Sequence, residues 1–552
     1  MENNRSNPLI HLLPSLRDVA FFMPALFILL KTAGASHLLE GDTGWHVRTG
    51  EWILQNGRVP DKDVFSFTRP GEPWFAWEWL WDVMFAWLHG IGGMAAVVTV
   101  SLLLISATTL VLYREIMRHN GNCLIAIALT FIASAAASIH WWARPHLFTL
   151  LFGLVTFSLL ERAHAGNMRL LWLLPPLVIL WTNLHGGFFI AILMAGAYAA
   201  GEVATAAIAS SPEQRRVAMR RSGAFFGVAA ASLAASLVNP YSYHLHAHIY
   251  QFLTTNWHFQ NVLEFHPPNF QHPASRFFEA MLFTGLAAGL WHLRQRRFAY
   301  VFLLAGWAHL ALVSARNIAI YALIAAPIIA YAIREWMSVL AQADMAGWLK
   351  RSLQSFADLS SEIGATDTIR RFPLARLVVI TLLALLFFSP APPQRFRAVF
   401  DDTYPEKALQ TVANRLHSRV FTIDEWGDYL IYKLYPRVKV FVDGRSDFYG
   451  EAFEQKYVDT MNLKHGWVEN LARYGVDTVL LPIDMPMTGA LKESSHWRVI
   501  YDDGVAIVFE LRSGNGNVVT QSSVVRHGVS QAGNSTINGS DDLVTTKFVR
   551  RN

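Results

Sequence analysis

Cysteine and charge are scarce in this chain of 552 residues. The one cysteine, Cys123, excludes an internal disulfide and any cysteine-based metal cluster. Only 16% of the residues are charged, against about 25% in ordinary soluble proteins. Also missing are a glycine-rich phosphate loop, a nucleophile elbow, a His-Glu-x-x-His pair, a heptad pattern and any internal repeat. Those absences remove the motif-bearing nucleotide, hydrolase and zinc-protease classes. The sequence pI near 9.2 does not indicate a nucleic-acid partner. The basic residues are spread over short loops between apolar runs, where the positive-inside rule accounts for them.

What the chain has in quantity is apolar sequence, with 53% hydrophobic residues, 19 Trp and 36 Phe. Long apolar runs are the mark of membrane-spanning helices, and Trp and Phe suit the two membrane interfaces. The fold class read from this is an α-helical polytopic membrane protein of about eleven spans. They are placed near 19–38, 91–113, 123–140, 146–161, 169–184, 187–209, 223–238, 277–293, 298–314, 317–334 and 373–389. The first run, Val19 to Ala35, lacks a small-residue cleavage site and reads as a retained span. Trp74 to Gly90 carries Glu78 and Asp82 and reads as an interfacial or re-entrant helix.

Arginines mark alternate loops: Arg114 and Arg118, Arg162 and Arg169, Arg215 to Arg221, Arg294 to Arg297, and Arg334 to Arg371. Assigning these loops to the cytoplasm puts the N-terminus inside. Everything after the last span is then outside, in a bacterial inner or plasma membrane. Three regions result: a membrane domain at 1–390, an extracytoplasmic α/β domain at 396–512, and a disordered tail at 513–552 rich in Ser, Asn and Gly. In the α/β region, helices are expected over Pro405–Leu416, Tyr429–Leu434, Glu451–Met461 and Gly466–Tyr474. Strands are expected over Arg419–Ile423, Val438–Val442, Val476–Leu481, Arg498–Tyr501 and Val505–Leu511.

The first outward loop holds the most chemistry. It reads Glu40-Gly41-Asp42-Thr43-Gly44-Trp45-His46, with Ile53-Leu54 and then Gly57-Arg58-Val59-Pro60. Trp45, Ile53 and Leu54 suit a short helix lying on the membrane, ended by the Gly-x-x-Pro turn. By position Asp42 also suits the N-cap of that helix, a role worth about 1 kcal/mol.

An acidic residue after the first span, a membrane-lying helix, a Gly-x-x-Pro turn and a Trp-rich return resemble the GT-C superfamily. Its members are multispanning glycosyltransferases that take sugar from a polyprenyl-phosphate carrier. The resemblance implies a catalytic or acceptor-orienting role for Asp42, with Glu40 as a second carboxylate. It implies as partners a polyprenyl-phosphate-linked sugar, the bilayer and a glycan, lipid or protein acceptor. The Glu-x-Asp here is neither the Asp-x-Asp nor the Asp-Glu of some branches. A divalent metal is therefore left open rather than implied, and so is the acceptor class.

The remaining polar residues of the outer loops agree with an anionic lipid-linked ligand. A departing phosphate needs cations and an acceptor needs a base. Arg144, Arg316, His46, His140, His146 and His185 all fall on the side of Asp42 and are candidate substrate-binding groups. A planar guanidinium binds phosphate through two parallel hydrogen bonds. Each arginine also fits pairing with a carboxylate or a helix end. His244, His246 and His248 alternate and do not share one helical face, which disfavours a three-His metal site. Asp443-Gly444 reads as an ordinary turn. The competing readings are a transporter or lipid-sugar flippase, and a non-enzymatic envelope assembly protein.

Overall fold

The computed structural model describes residues 14–31, 40–273, 275–344, 346–367, 404–415 and 418–512. The eleventh expected span and the expected disordered tail lie outside the described residues. From the N-terminus the helices are α1 (Leu16–Lys31), α2 (Gly41–Asn56), α3 (Trp79–Asn120), α4 (Cys123–Ala137), α5 (His146–His164), α6 (Leu174–Leu184) and α7 (Phe189–Ala207). They continue as α8 (Pro212–Ala235), α9 (Tyr243–Thr254), α10 (Asn256–Asn261), α11 (Ser275–Arg294), α12 (Phe298–Val313), α13 (Ile318–Gln342) and α14 (Gly347–Asp367). Each expected span before residue 368 coincides with a helix. Among the described residues five helical stretches are long and apolar enough to cross a membrane: Trp79–Asn120, Cys123–His140, His146–His164, Gly186–Ala207 and Ala315–Gln342. Met168–Leu184 and Phe298–Val313 are apolar but shorter. Among the described residues, length and apolarity alone support five of the eleven expected spans.

The membrane-lying helix of the first loop is α2. It ends at Gly57, whose left-handed backbone (φ 66°) returns its N–H to the carbonyl of Ile53. Only a residue without a Cβ adopts that conformation without strain. The acid-bearing stretch after Trp74 is not a separate element. From Trp79 it forms the first turns of α3, a 42-residue helix bent where Gly92 and Gly93 leave helical geometry. At 1.5 Å per residue a straight helix of that length measures about 63 Å, twice a hydrocarbon core. The kink separates an initial segment from the part that spans.

The first turns of α3 pack directly on α2. A Cβ on Gly50 would meet the carbonyl oxygen of Asp82 at 1.9 Å and the Cβ of Ala86 at 2.7 Å. Backbone therefore touches backbone at this crossing. Gly50→Ala is expected to cost at least about 1–3 kcal/mol, the range for overpacking. A lowered melting temperature in detergent would report it. An unchanged one would show that the two helices part cheaply.

After residue 404 come α15 (Leu409–Ala413), β1 (Val420–Phe421), α16 (Asp424–Leu434), α17 (Ser446–Tyr449), α18 (Glu451–Met461), α19 (Trp467–Arg473), β2 (Thr478–Pro482), α20 (Pro486–Glu493), β3 (Trp497–Asp502) and β4 (Ala506–Leu511). The strand order is β1-β2-β4-β3, with β1 parallel to β2 and the other pairs antiparallel. The expected strand at 438–442 makes only isolated bridges from Val440, one to Val420 and one to Ser66 of the first outer loop. The helix expected over Tyr429–Leu434 begins earlier, at Asp424.

Side chains alternate across the sheet, as a pleat requires. Val479, Leu481, Ile507 and Phe509 face a cluster with Phe441, Phe453 and Leu471. Leu480 and Val508 face the other way, into a cluster with Trp45, Phe65, Trp74, Trp426 and Leu430. That second cluster joins the sheet to α2 and to the first outer loop. Burial of those large aromatic faces holds residues 418–512 against the loop that contains Asp42.

Candidate functional site

Arg144 stands at the centre of the first cluster. It lies in the short connection before α5, with its guanidinium 5.6 Å from the Trp142 ring. Its Nε pairs with Glu40, one Nη with Asp42, and the other Nη with Glu264 Oε1 at 2.7 Å. Burial weakens the charged form of Arg144, but Glu40 and Glu264 outweigh it and hold its pKa above the usual range. Burial likewise pushes the Glu264 carboxyl up, yet Arg144 and then Arg316 pull it down to about 2. Three carboxylates on one cation leave the cluster rich in negative charge.

Asp42 is not the N-cap of α2. Glu40 occupies that position, with extended backbone and no side-chain capping bond. Asp42 is one turn-position further in, where its carboxylate meets Arg144 and accepts from Trp45 Nε1 at 3.3 Å. Its side chain is therefore aimed away from the helix's own backbone.

The C-terminal segment adds a second acid. A Cβ on Gly41 would meet the carbonyl of Glu425 at 2.9 Å, and one on Gly44 would meet the Cβ of Tyr432 at 2.7 Å, so α16 lies tightly across α2. Asp428 of α16 accepts from the Gly444 N–H at 2.8 Å. A Cβ on Gly444 would lie 2.3 Å from Asp42 Oδ1 and 2.8 Å from Asp428 Oδ2. Gly444 thus packs between the two carboxyl groups. Asp428 is fully buried, and burial together with the nearby Asp443 pushes its pKa well above the carboxylate range. It lies beside an Asp42 paired with Arg144. Asp443 itself is locked by Arg445, which also binds Asp63 at 2.8 Å, and by the Tyr449 hydroxyl at 2.8 Å. That network is scaffold, and Asp443-Gly444 is more than a turn. Gly444→Ala is expected to displace Asp42 and lower any Asp42-dependent activity by about tenfold or more, given that ångström misplacements carry such costs. A kinetic assay beside a melting curve separates this from unfolding; full activity would mean that Asp42 tolerates the shift.

The histidines form a neighbouring group around Glu78. His46 Nδ1 meets Asp82 Oδ1 at 2.6 Å, and its Nε2 faces Glu78 at 3.7 Å. His185 Nε2 faces Glu78 from the other side at 3.6 Å. The Nδ1 of His185 accepts from Gly187 N at 3.0 Å, which leaves its proton on Nε2, toward Glu78. Burial lowers His46 to about 4 and His185 to about 3, with Arg316 adding to the shift at His185. Burial raises Glu78 to about 8. At neutral pH these three groups are therefore uncharged, with a proton on Glu78. His146 donates from Nε2 to the carbonyl of His140 at 2.7 Å, and its ring lies 6.5 Å from that of His185.

Arg316 joins both groups. It sits 4.5 Å from the centroid of Phe265, the residue after the Glu264 that binds Arg144. Ser314 and Ala315 bond the carbonyls of Glu264 and His266 at 3.0 and 2.9 Å. Among the described residues no carboxylate lies within ion-pair distance of Arg316. Asp42, Glu40, Arg144, Arg316, His46, His140, His146 and His185 are all brought to one end of the helices. His246 and His248 diverge: the first bonds Ser236 and the second bonds Asp447 at 3.0 Å. Glu78 and Asp82 were visible in sequence only as acids in an apolar stretch. Glu264, Asp428 and Gly444 gave no local signal of their place here.

No protein-family model and no curated protein matches the chain in sequence. Solved structures do match in shape. An Archaeoglobus fulgidus oligosaccharyltransferase in the apo form aligns with a TM-score of 0.53 at 10% identity, over 87% of this chain and 70% of that one. Archaeal oligosaccharyltransferase AglB from the same organism, in complex with an inhibitory peptide and a dolichol-phosphate, aligns with a TM-score of 0.52 at 14% identity, over 92% and 75%. An A. fulgidus oligosaccharyltransferase complex with Zn and sulfate aligns with a TM-score of 0.52 at 12% identity, over 85% and 68%. Over most of its length the chain has the fold of these oligosaccharyltransferase structures.

Proposed function

We propose that this protein is a membrane glycosyltransferase that moves a sugar from a polyprenyl-phosphate carrier to an acceptor on the extracytoplasmic face of the inner membrane. The observation that carries the reading is the presence, at the same end of the helices, of an Arg144-held Asp42 and of a partly buried Arg316 that has no carboxylate within ion-pair distance among the described residues. The fold shared with a protein solved with a dolichol-phosphate supports it. Asp42 orients the acceptor and takes its proton as the new bond to the sugar's anomeric carbon forms. The bond from that carbon to the phosphate oxygen breaks, and the released phosphate charge falls to Arg316. A single displacement of this kind inverts the sugar carbon. Arg144, engaged by three carboxylates, serves to aim Asp42 rather than to bind phosphate. Residues 396–512 act as an acceptor-side domain, contributing Asp428 and Gly444 to the wall of the site.

The donor set does not fit a divalent metal. Glu40, Asp42 and Glu264 are closed on the guanidinium of Arg144. Among the described residues no group of three His, Cys, Asp or Glu side chains is arranged to hold an ion. No step here passes through a metal.

Arg316→Met is expected to weaken binding of polyprenyl phosphate about 10–100-fold, the equivalent of a charge-assisted hydrogen bond of 1.5–3 kcal/mol. Arg316→Lys should recover part of the loss. Titration of the purified protein in nanodiscs reads both. Equal binding by wild type and Arg316→Met would remove the phosphate role from this end of the molecule.

A further inference from the structure

The helices that build the site carry a second polar cluster at their far ends. Helix α3 runs from Glu78 to His119, α5 from His146 to His164, and α7 from just after His185 to Glu202. Helix α12 runs from Tyr300 back to Ser314, and α13 from just after Arg316 to Arg334. With 19 residues, α5 is about 28 Å long, close to the thickness of a hydrocarbon core. The two clusters are therefore one membrane thickness apart.

The far cluster surrounds a cavity of about 600 Å³ whose walls include Arg118, Arg221, Arg296, Arg297 and Arg334. That volume lies within the range of small-ligand pockets. Two carboxylates also line it, and both are engaged. Glu161 is buried and accepts from His119 at 2.8 Å, from the Tyr300 hydroxyl at 2.6 Å and from the Tyr198 hydroxyl. Glu202 meets His164 at 2.8 Å and Arg221 at 3.9 Å. Arg118 pairs with Glu115 at 2.7 Å, and Arg297 holds Glu335 through two bonds of 2.7 Å.

Arg296 and Arg334 remain. Among the described residues neither has a carboxylate within ion-pair distance. Arg334 lies 4.4 Å from the centroid of the Tyr331 ring, against whose face Arg297 also rests at 4.3 Å. Arg296 has φ 58°, a backbone conformation that a residue with a Cβ adopts only at a cost. Positive-inside topology explains arginines at this end of the helices. It does not by itself account for a cavity lined by five arginines around a buried carboxylate tied off by two tyrosines, with Arg296 and Arg334 solvent-exposed at its rim.

We propose that this cavity is a second phosphate-binding site, separate from the Asp42 end, that takes a phosphate group on Arg296 and Arg334. The phosphate belongs either to a lipid headgroup or to a soluble phosphate. Guanidinium pairs suit its tetrahedral oxygens.

The test uses the full-length protein carrying Arg316→Met, which weakens the phosphate position proposed for the other end, in nanodiscs of neutral phosphatidylcholine. One arm titrates inorganic phosphate in solution. The other incorporates polyprenyl phosphate in the bilayer. Binding is read by thermal shift and native mass spectrometry, with Arg296→Gln, Arg334→Gln and the double variant alongside. The expected result is saturable binding that weakens at least tenfold in the double variant, with each single variant in between. Binding in the lipid arm alone identifies a headgroup, and binding in both arms identifies phosphate itself as sufficient. Absence of binding in both arms, or equal binding by the folded double variant, would overturn the proposal. Because Arg316→Met is present throughout and the variants compared differ only at Arg296 and Arg334, neither outcome depends on the proposed transferase reaction.

Discussion

Replacing Asp42 with asparagine is expected to lower turnover of a lipid-linked sugar by about 10²–10⁴-fold, the usual contribution of a general base. That is about 3–5 kcal/mol of barrier. The amide keeps the size of the side chain and can still accept from Trp45 Nε1. It cannot take the acceptor's proton or carry charge. The fold should tolerate the change, because Arg144 retains Glu40 and Glu264 and part of the cluster is open to solvent. A stability loss of about 1 kcal/mol or less is expected, in line with partly exposed ion pairs. The assay follows polyprenyl phosphate released from a pooled extract of lipid-linked sugars, with a melting curve as control. If Asp42 served only as a partner for Arg144, the asparagine variant would keep most of its turnover.

Arg144→Met is expected to act the other way, on stability more than on chemistry alone. It strips the shared cation from Glu40, Asp42 and Glu264. Removing one partner of a buried pair costs about 3–5 kcal/mol, and the partial exposure here, 22% for the Arg144 side chain, brings the expected cost to about 3 kcal/mol. The loss should depend on pH. In the wild type Glu264 is held near 2, below its ordinary 4.5, so its stabilising effect is complete above the ordinary value and fades only as pH falls toward 2. Without Arg144 the carboxyl loses the largest of the charges that hold it down, so its folded pKa rises. A raised carboxyl favours the fold below its unfolded pKa and disfavours it as pH rises. The gap between the two proteins should therefore be widest at about pH 7–8 and shrink toward about pH 4. Denaturation midpoints across that range measure it, and a gap independent of pH would mean that the loss is one of packing.

Local pattern carried the sequence reading a long way where the signal was local. Apolar periodicity marked the helices, and Gly57 marked the end of α2, because one left-handed residue suffices to stop a helix. The helix at Glu451–Met461 was found with its boundaries, since its own amphipathic face decides it. Val438–Val442 was read as a strand because it is β-branched, but its partners are Ser66 and Val420, far away in the chain. The helix expected over Tyr429–Leu434 begins five residues earlier, at Asp424, in a helix that packs closely on α2. The site divides in the same way. That Asp42, Glu40, Arg144 and Arg316 lie at one end of the helices was legible from residue type and loop order. The partners that decide their roles were not. Glu264 lies 120 residues from Arg144 and Gly444 some hundreds from Asp42, and only the folded chain brings them together.

The most direct measurement of the central claim is a structure of the full-length protein in nanodiscs with polyprenyl phosphate bound. The account predicts the phosphate on the Arg316 guanidinium, at the Asp42 end of the helices, with the Asp42 carboxylate still held by Arg144 and facing the same space. A bound phosphate that leaves Arg316 untouched, with lipid only at the opposite end of α13, would contradict it.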